Sequence, residues 1–220
     1  MEHGVRRGWL QRAIGHAVAA LALAILPVAP ATAAERPART VLVVGDSLAA
    51  GYGLSSPDLG WVALLDAKVA STKPGWRVAN ASISGDTSAG GAARLVAELR
   101  RTRPEVVVIE LGANDGLRGL SPQQTRVNLA RMIGAAHGAG ARVLLVGMRM
   151  PPNLGPAYVR DFESTFPMLA ERFDVELLPF LLEPVAADRA SFQDDNLHPV
   201  AAVQPRLRDH VWTALEPLLR

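Results

Sequence analysis

Four segments of the chain are continuously apolar but for single glutamates at Glu110 and Glu176: residues 41–44, 106–111, 143–147 and 175–178. Runs of this kind, rich in Val and Leu and not alternating, predict strands buried on both faces, as in a parallel sheet covered by helices. Residues 77–81 form a weaker fifth strand. Between the strands the apolar spacing turns helical. Residues 87–101 place Ala92, Leu95, Val96 and Leu99 on one side and charges on the other. Ser121 is an N-cap with Pro122 at the first helical position, so a helix runs from there to about His137, where Gly138 and Gly140 stop it. Helices over 158–173 and 205–219 complete the set. Strand–helix alternation predicts an α/β fold, a three-layer α/β/α sandwich on a mostly parallel five-stranded sheet with right-handed crossovers. The expected strand order is the flavodoxin-like 2-1-3-4-5.

The start of the chain does not belong to that pattern. Arg6, Arg7 and Arg12 are followed by an Ala- and Leu-rich stretch over 13–28 and by Ala31-Thr32-Ala33, a small-x-small cleavage site. These are the three parts of a secretory signal peptide, with an apolar core shorter than a bilayer span requires. The expected organisation is a cleaved signal over 1–33, a short leader over 34–40, and one domain over 41–220, large enough for a core of its own. The destination is periplasmic or secreted, with no stable membrane insertion after cleavage. Losing the signal changes the charge: the full chain is +2, whereas the region beyond residue 33 has 20 basic and 20 acidic residues. That balance gives no reason to expect a nucleic-acid partner. The chain has no cysteine, so neither disulfides nor thiolate zinc sites can form. Nothing demands an oligomer, and a monomer is expected.

The chemistry sits in the turns after the strands. The first strand runs directly into Gly45-Asp46-Ser47-Leu48. This sets a serine hydroxyl at the carboxyl edge of the sheet, where open α/β sheets bind ligands. Such a serine becomes nucleophilic beside a base, or simply caps a helix or turn. The second strand leads to Ser84-Gly85-Asp86-Thr87 and the third to Gly112-Ala113-Asn114-Asp115. Gly85 offers an unshielded backbone N–H and Asn114 an amide donor, and acyl transfer needs donors where an oxyanion develops. Taken singly, each is also an ordinary turn residue. Asp195 and His198 are three residues apart, a spacing that puts both on one side of a helical turn. The aspartate can then orient the imidazole towards Ser47, the logic of an acyl-transfer triad; a metal pair or plain loop is the other reading. His137 and His210 look structural, one ending a helix and the other lying within the last one.

With these blocks in order, the chain resembles the SGNH (GDSL) hydrolase family. The matching positions are Gly45-Asp46-Ser47-Leu48, Gly85, Asn114 in Gly112-Ala113-Asn114-Asp115, and Asp195-Asn196-Leu197-His198. Within it, Asn80-Ala81-Ser82-Ile83-Ser84-Gly85-Asp86-Thr87-Ser88 is similar to the periplasmic thioesterase I / protease I / lysophospholipase L1 (arylesterase) group. The resemblance implies Ser47 as nucleophile, His198 as general base and acid, and Asp195 as its orienter. It implies an oxyanion hole from the Ser47 and Gly85 N–H groups and the Asn114 side chain, with no metal or organic cofactor. Asp46, Asp86 and Asp115 are read as supporting or capping groups. The loop after the fourth strand is placed beside an acyl groove, with Met150, Pro151, Pro152, Asn153, Leu154 and Tyr158 as its substrate contacts. Three prolines there, Pro151, Pro152 and Pro156, suggest a stiff wall that restricts acyl length. The implied activity is hydrolysis of small-molecule acyl esters and thioesters, including aryl esters, short to medium acyl chains and lysophospholipids. A carbohydrate acetylesterase, with Trp61 and Trp76 available for sugar stacking, and an inactive binding scaffold are the alternatives.

Overall fold

The computed structural model describes residues 38–220; the expected signal over 1–33 and most of the leader lie outside the described residues. Five strands form one parallel sheet: β1 (Arg39–Gly45), β2 (Trp76–Asn80), β3 (Val106–Glu110), β4 (Arg142–Val146) and β5 (Glu176–Leu178). Their order is β2-β1-β3-β4-β5, as expected. Register runs from Val41 opposite Val106 to Gly45 opposite Glu110, so β1 and β3 end level with each other at the carboxyl edge. The first strand begins inside the segment expected as leader.

Among the described residues seven helices flank the sheet: α1 (Ser47–Ala50), α2 (Trp61–Thr72), α3 (Ser88–Thr102), α4 (Ala113–Leu117), α5 (Pro122–Gly138), α6 (Pro156–Phe173) and α7 (Gln204–Leu215). α3 packs on α5 and α5 on α6, whereas α2 packs on α7, giving the two outer layers. Val41 to Val44 and Val106 to Ile109 are wholly buried between them. Each such side chain contributes about 1.5–3 kcal/mol by leaving water. The edge strand β2 is half-exposed, which explains its weaker apolar signature.

Some local expectations needed correction. α2 is a full helix that the sequence reading did not assign; it provides the crossover from β1 to β2. The last helix ends at Leu215 and tightens into a 3₁₀ turn over Glu216–Leu218. α6 starts at Pro156, a proline in the first turn, two residues before the expected start.

Candidate active site

Ser47 is the first residue of α1, and its helix is capped not by itself but by Asp46, whose Oδ1 accepts from the Leu48 N–H at 3.0 Å. The turn is tight because Gly45 lies against Glu110: a Cβ there would come within 2.6 Å of Glu110 Oε2 and 2.7 Å of the Ala49 Cβ. Glu110, the last residue of β3, is buried, and its Oε2 accepts from the Asp46 N–H at 3.3 Å. Burial, then the charge of Asp46, pushes the Glu110 carboxyl well above its usual range. Asp46 is also wholly buried. Burial raises it to about 6, while bonds from the Leu48 N–H and Asn114 and the nearby His198 pull the other way.

His198 arrives from the far end of the chain. Asp195 to His198 is not a helical turn, as its spacing suggested, but a loop pinched at its base. Phe192 pairs antiparallel with Pro199, Gln193 N–H donates to the His198 carbonyl at 2.8 Å, and Asn196 sits in the left-handed region at φ 59°. Asp195 Oδ1 accepts from the backbone N–H groups of Leu197 (2.9 Å) and His198 (3.0 Å). Its Oδ2 lies 2.6 Å from His198 Nδ1. Desolvation raises the Asp195 carboxyl, but the His198 side chain and these N–H donors outweigh it and hold it at about 2. An ionised carboxylate only accepts, so Nδ1 carries the proton and Nε2 is left as an acceptor. Nε2 stands 2.8 Å from Ser47 Oγ.

The two halves of this line are fastened together by residues with no evident chemistry. Trp61 Nε1 donates to the Leu48 carbonyl at 3.0 Å, and Gln204 links the Trp61 N–H (3.0 Å) to the Pro199 carbonyl (3.2 Å). Gln193 Nε2 spans the Tyr52 (2.9 Å) and Pro199 (3.2 Å) carbonyls. The Tyr52 ring leans on the imidazole, with centroids 4.6 Å apart at 46°. Trp61 is therefore buried structure and not a sugar platform. Trp76 is equally buried, under the Arg39 guanidinium at 4.1 Å.

The other two loops follow β2 and β3. Ile83 to Asp86 is a turn closed by the Asp86 N–H on the Ile83 carbonyl at 3.0 Å, with Gly85 at φ 81°, a conformation that favours glycine. Neither the Ser47 nor the Gly85 N–H enters the backbone-to-backbone bonds outside helices and strands among the described residues. Asn114, in α4, donates from Nδ2 to Asp46 Oδ2 at 3.1 Å. Asp115 behind it accepts from the Ser88 N–H (2.8 Å) and Oγ (2.5 Å) and from Thr125 Oγ1 (3.3 Å), joining α4 to the start of α3 and to α5. Asp86 pairs with Arg94 at 2.8 Å, and Arg94 also donates to the Ala81 carbonyl.

Ser47, Asn114 and His198 open on a cavity of about 460 Å³, within the usual size of a small-molecule site. Its walls are mainly apolar: Leu48, Leu117, Met148, Met150, Phe180, Leu182, Phe192 and Leu197. Of the expected loop contacts, Met150, Pro151 and Pro152 line it. Asn153, Leu154 and Tyr158 do not. The first two turn away in a 3₁₀ turn over Pro152–Leu154, and the Tyr158 hydroxyl is spent on the Gly116 (3.1 Å) and Leu120 (2.8 Å) carbonyls. Gly85 stands beside the cavity rather than in its wall. Tyr52, Glu110 and Phe180 were missed from sequence. Tyr52 follows Ser47 in the same turn region and was the one within reach. Among the described residues no group of three or more metal-binding side chains is assembled, and no helix is long and apolar enough to cross a membrane.

A parallel sheet covered on both faces, with serine, histidine and aspartate brought together at its carboxyl edge, defines a hydrolase with a three-layer α/β fold. The chain belongs to the GDSL-like lipase/acylhydrolase family, whose model matches residues 43–204, from β1 to the start of α7. It is 50% identical over 182 residues to the Esterase TesA of Pseudomonas aeruginosa, covering 83% of this chain and 90% of that protein. It is 45% identical over 182 residues to the thioesterase 1/protease 1/lysophospholipase L1 of Escherichia coli (strain K12), covering 83% of this chain and 86% of that one. Among solved structures, the psychrotrophic esterase EstA of Pseudoalteromonas sp., inhibited by monoethylphosphonate, superposes with a TM-score of 0.78. It is 38% identical and covers 82% of this chain and 98% of its own. The protein is an enzyme, a carboxylic ester hydrolase.

Proposed function

We propose that this is an exported serine esterase that hydrolyses acyl esters and thioesters through an acyl-enzyme on Ser47. The observation that carries the reading is the 2.8 Å contact from Ser47 Oγ to His198 Nε2 at the mouth of the apolar cavity. In the first half-reaction Ser47 Oγ attacks the carbonyl carbon and its proton passes to Nε2. The carbonyl oxygen becomes an oxyanion, received by the Ser47 and Gly85 N–H groups and by Asn114 Nδ2. The tetrahedral intermediate collapses, the alcohol or thiol leaves with the proton from Nε2, and an acyl ester remains on Ser47. A water then gives its proton to Nε2 and attacks that ester; the acid departs and Ser47 recovers its proton. Asp195, held ionised by its N–H donors, fixes the tautomer and offsets the imidazolium charge.

The cavity selects for the acyl chain. Met148, Met150 and Phe180 favour an aliphatic or aryl group, and Pro151 and Pro152 make one wall stiff, which limits chain length. Aryl esters, short to medium acyl esters and thioesters, and lysophospholipids fit this chemistry. The signal-like segment over 1–33 argues for a periplasmic or secreted location, where lipid and foreign esters are at hand, and nothing in the chain calls for a partner subunit. The glycan-esterase reading is weaker: its two candidate stacking tryptophans are buried, and the cavity is apolar.

The test is turnover of p-nitrophenyl esters of increasing acyl length by protein beginning after residue 33, with Ser47→Ala alongside. A peak at one chain length that vanishes in the variant is expected. A folded protein inert on every ester, or cleaving acetylated glycans alone, would overturn the reading.

A further inference from the structure

Arg118 closes the C-terminal end of α4, one turn beyond Asn114, and is exposed. Its Nη2 donates to the Gly85 carbonyl at 3.1 Å and to Asn114 Oδ1 at 3.3 Å. One guanidinium nitrogen therefore joins the loop after β2 to the loop after β3. The Asn114 amide is gripped at both ends: Arg118 holds its oxygen, and the buried Asp46 carboxylate takes one of its two N–H bonds at 3.1 Å. A planar amide held at both ends has no torsional freedom, so the direction of its second N–H is set. An unrestrained terminal amide torsion is broad.

The charge matters as well as the geometry. An ionised Asp46 beside Asn114 is unfavourable for an oxyanion developing at the same amide. Arg118 brings a permanent positive charge to the other side of that amide and to the Gly85 peptide, and it needs no protonation change to do so. We propose that Arg118 is a positioning residue for the oxyanion side of the site: it fixes the Asn114 amide and the Gly85 peptide and offsets the field of Asp46. The inference rests on Gly85 and Asn114 being the oxyanion donors, as set out above.

The experiment is a double-mutant cycle of Arg118→Gln and Asn114→Ala, read as kcat and KM on an uncharged p-nitrophenyl ester, with the urea midpoint confirming the fold. Arg118→Gln is expected to lower kcat roughly tenfold with KM changed less than about twofold, because the lost contact matters in the transition state. In the Asn114→Ala background the same substitution is expected to cost clearly less than the roughly tenfold loss in the wild type, since the Asn114 amide is gone and only the Gly85 peptide is left to hold. An unchanged kcat, an equal loss in both backgrounds, or a loss carried by KM would each overturn the proposal; the last would make Arg118 a substrate-binding residue. Wild-type kcat in Asn114→Ala alone would remove the oxyanion reading itself, independently of Arg118.

Discussion

Replacing Glu110 by glutamine is expected to leave the protein at least as stable as the wild type at neutral pH, although Glu110 is a buried acid. Backbone N–H groups of Asp46 and Ala49 face the carboxyl, no cation pairs with it among the described residues, and the nearest charge is the Asp46 carboxylate. Burial and that like charge keep Glu110 protonated, so the side chain is already neutral. Glutamine keeps the carbonyl that accepts from the Asp46 N–H, and where the unfolded carboxyl is also protonated the exchange of one neutral hydrogen-bonding group for another changes stability by about 1 kcal/mol or less; above that pH the unfolded glutamate ionises and the variant gains on the wild type. A raised folded-state value means stability that is full below the unfolded pKa and lost as pH rises through the folded one. Asp46, raised from 3.8 to about 6, follows this sign: its ionisation costs roughly 3 kcal/mol, lost between about pH 4 and pH 6. Glu110 follows the same sign: the wild type loses stability from the ordinary carboxyl value of 4.5 up towards its raised folded value, and the variant does not. Urea denaturation across pH measures both. If Glu110→Gln lost about 3–5 kcal/mol at neutral pH, the cost of stripping a needed buried charge, the account of this pair would be refuted.

Other outcomes bear on the chemistry. Asn114→Ala is expected to lower kcat by about 10²–10³ as the loss of an oxyanion donor, measured by steady-state kinetics; an unchanged kcat would make Asn114 a turn residue. The rate on esters is expected to fall on acidification, because only a neutral imidazole at His198 can take the Ser47 proton. Asp195, held at about 2, stays ionised throughout that range. A kcat/KM that did not fall on acidification would contradict the base assignment.

What the sequence revealed and what it hid divide along physical lines. The central strands were readable because burial on both faces leaves them almost wholly apolar, whereas the strand order was not, since parallel crossovers allow several orders and the expected one was taken from the flavodoxin-like pattern. α2 was not assigned, because Gly51, Gly53, Pro57 and Gly60 before it read as loop and its buried positions, Trp61, Val62, Leu65 and Val69, make only a weak stripe. Ser47, Gly85, Asn114 and His198 could be found because each stands in a short motif after a strand or near the chain end. The turn that joins Asp195 to His198 could not, since a three-residue spacing fits a helix as well as a loop closed by Phe192 and Pro199. Glu110 looked like the polar end of a strand until β3 was set level with Gly45. Arg118 looked like surface until its contacts with Gly85 and Asn114 were known. Tyr158, counted as a substrate contact from its place in the loop, proved to be a strut.

The most direct test of the central claim is the mass of the enzyme during turnover. The protein would be mixed with excess p-nitrophenyl ester, quenched in acid within milliseconds to seconds, and digested. The account predicts one acyl group per chain, located on the peptide carrying Ser47 and absent from Ser47→Ala. Turnover that persists in Ser47→Ala, or an acyl group found on another residue, would contradict it.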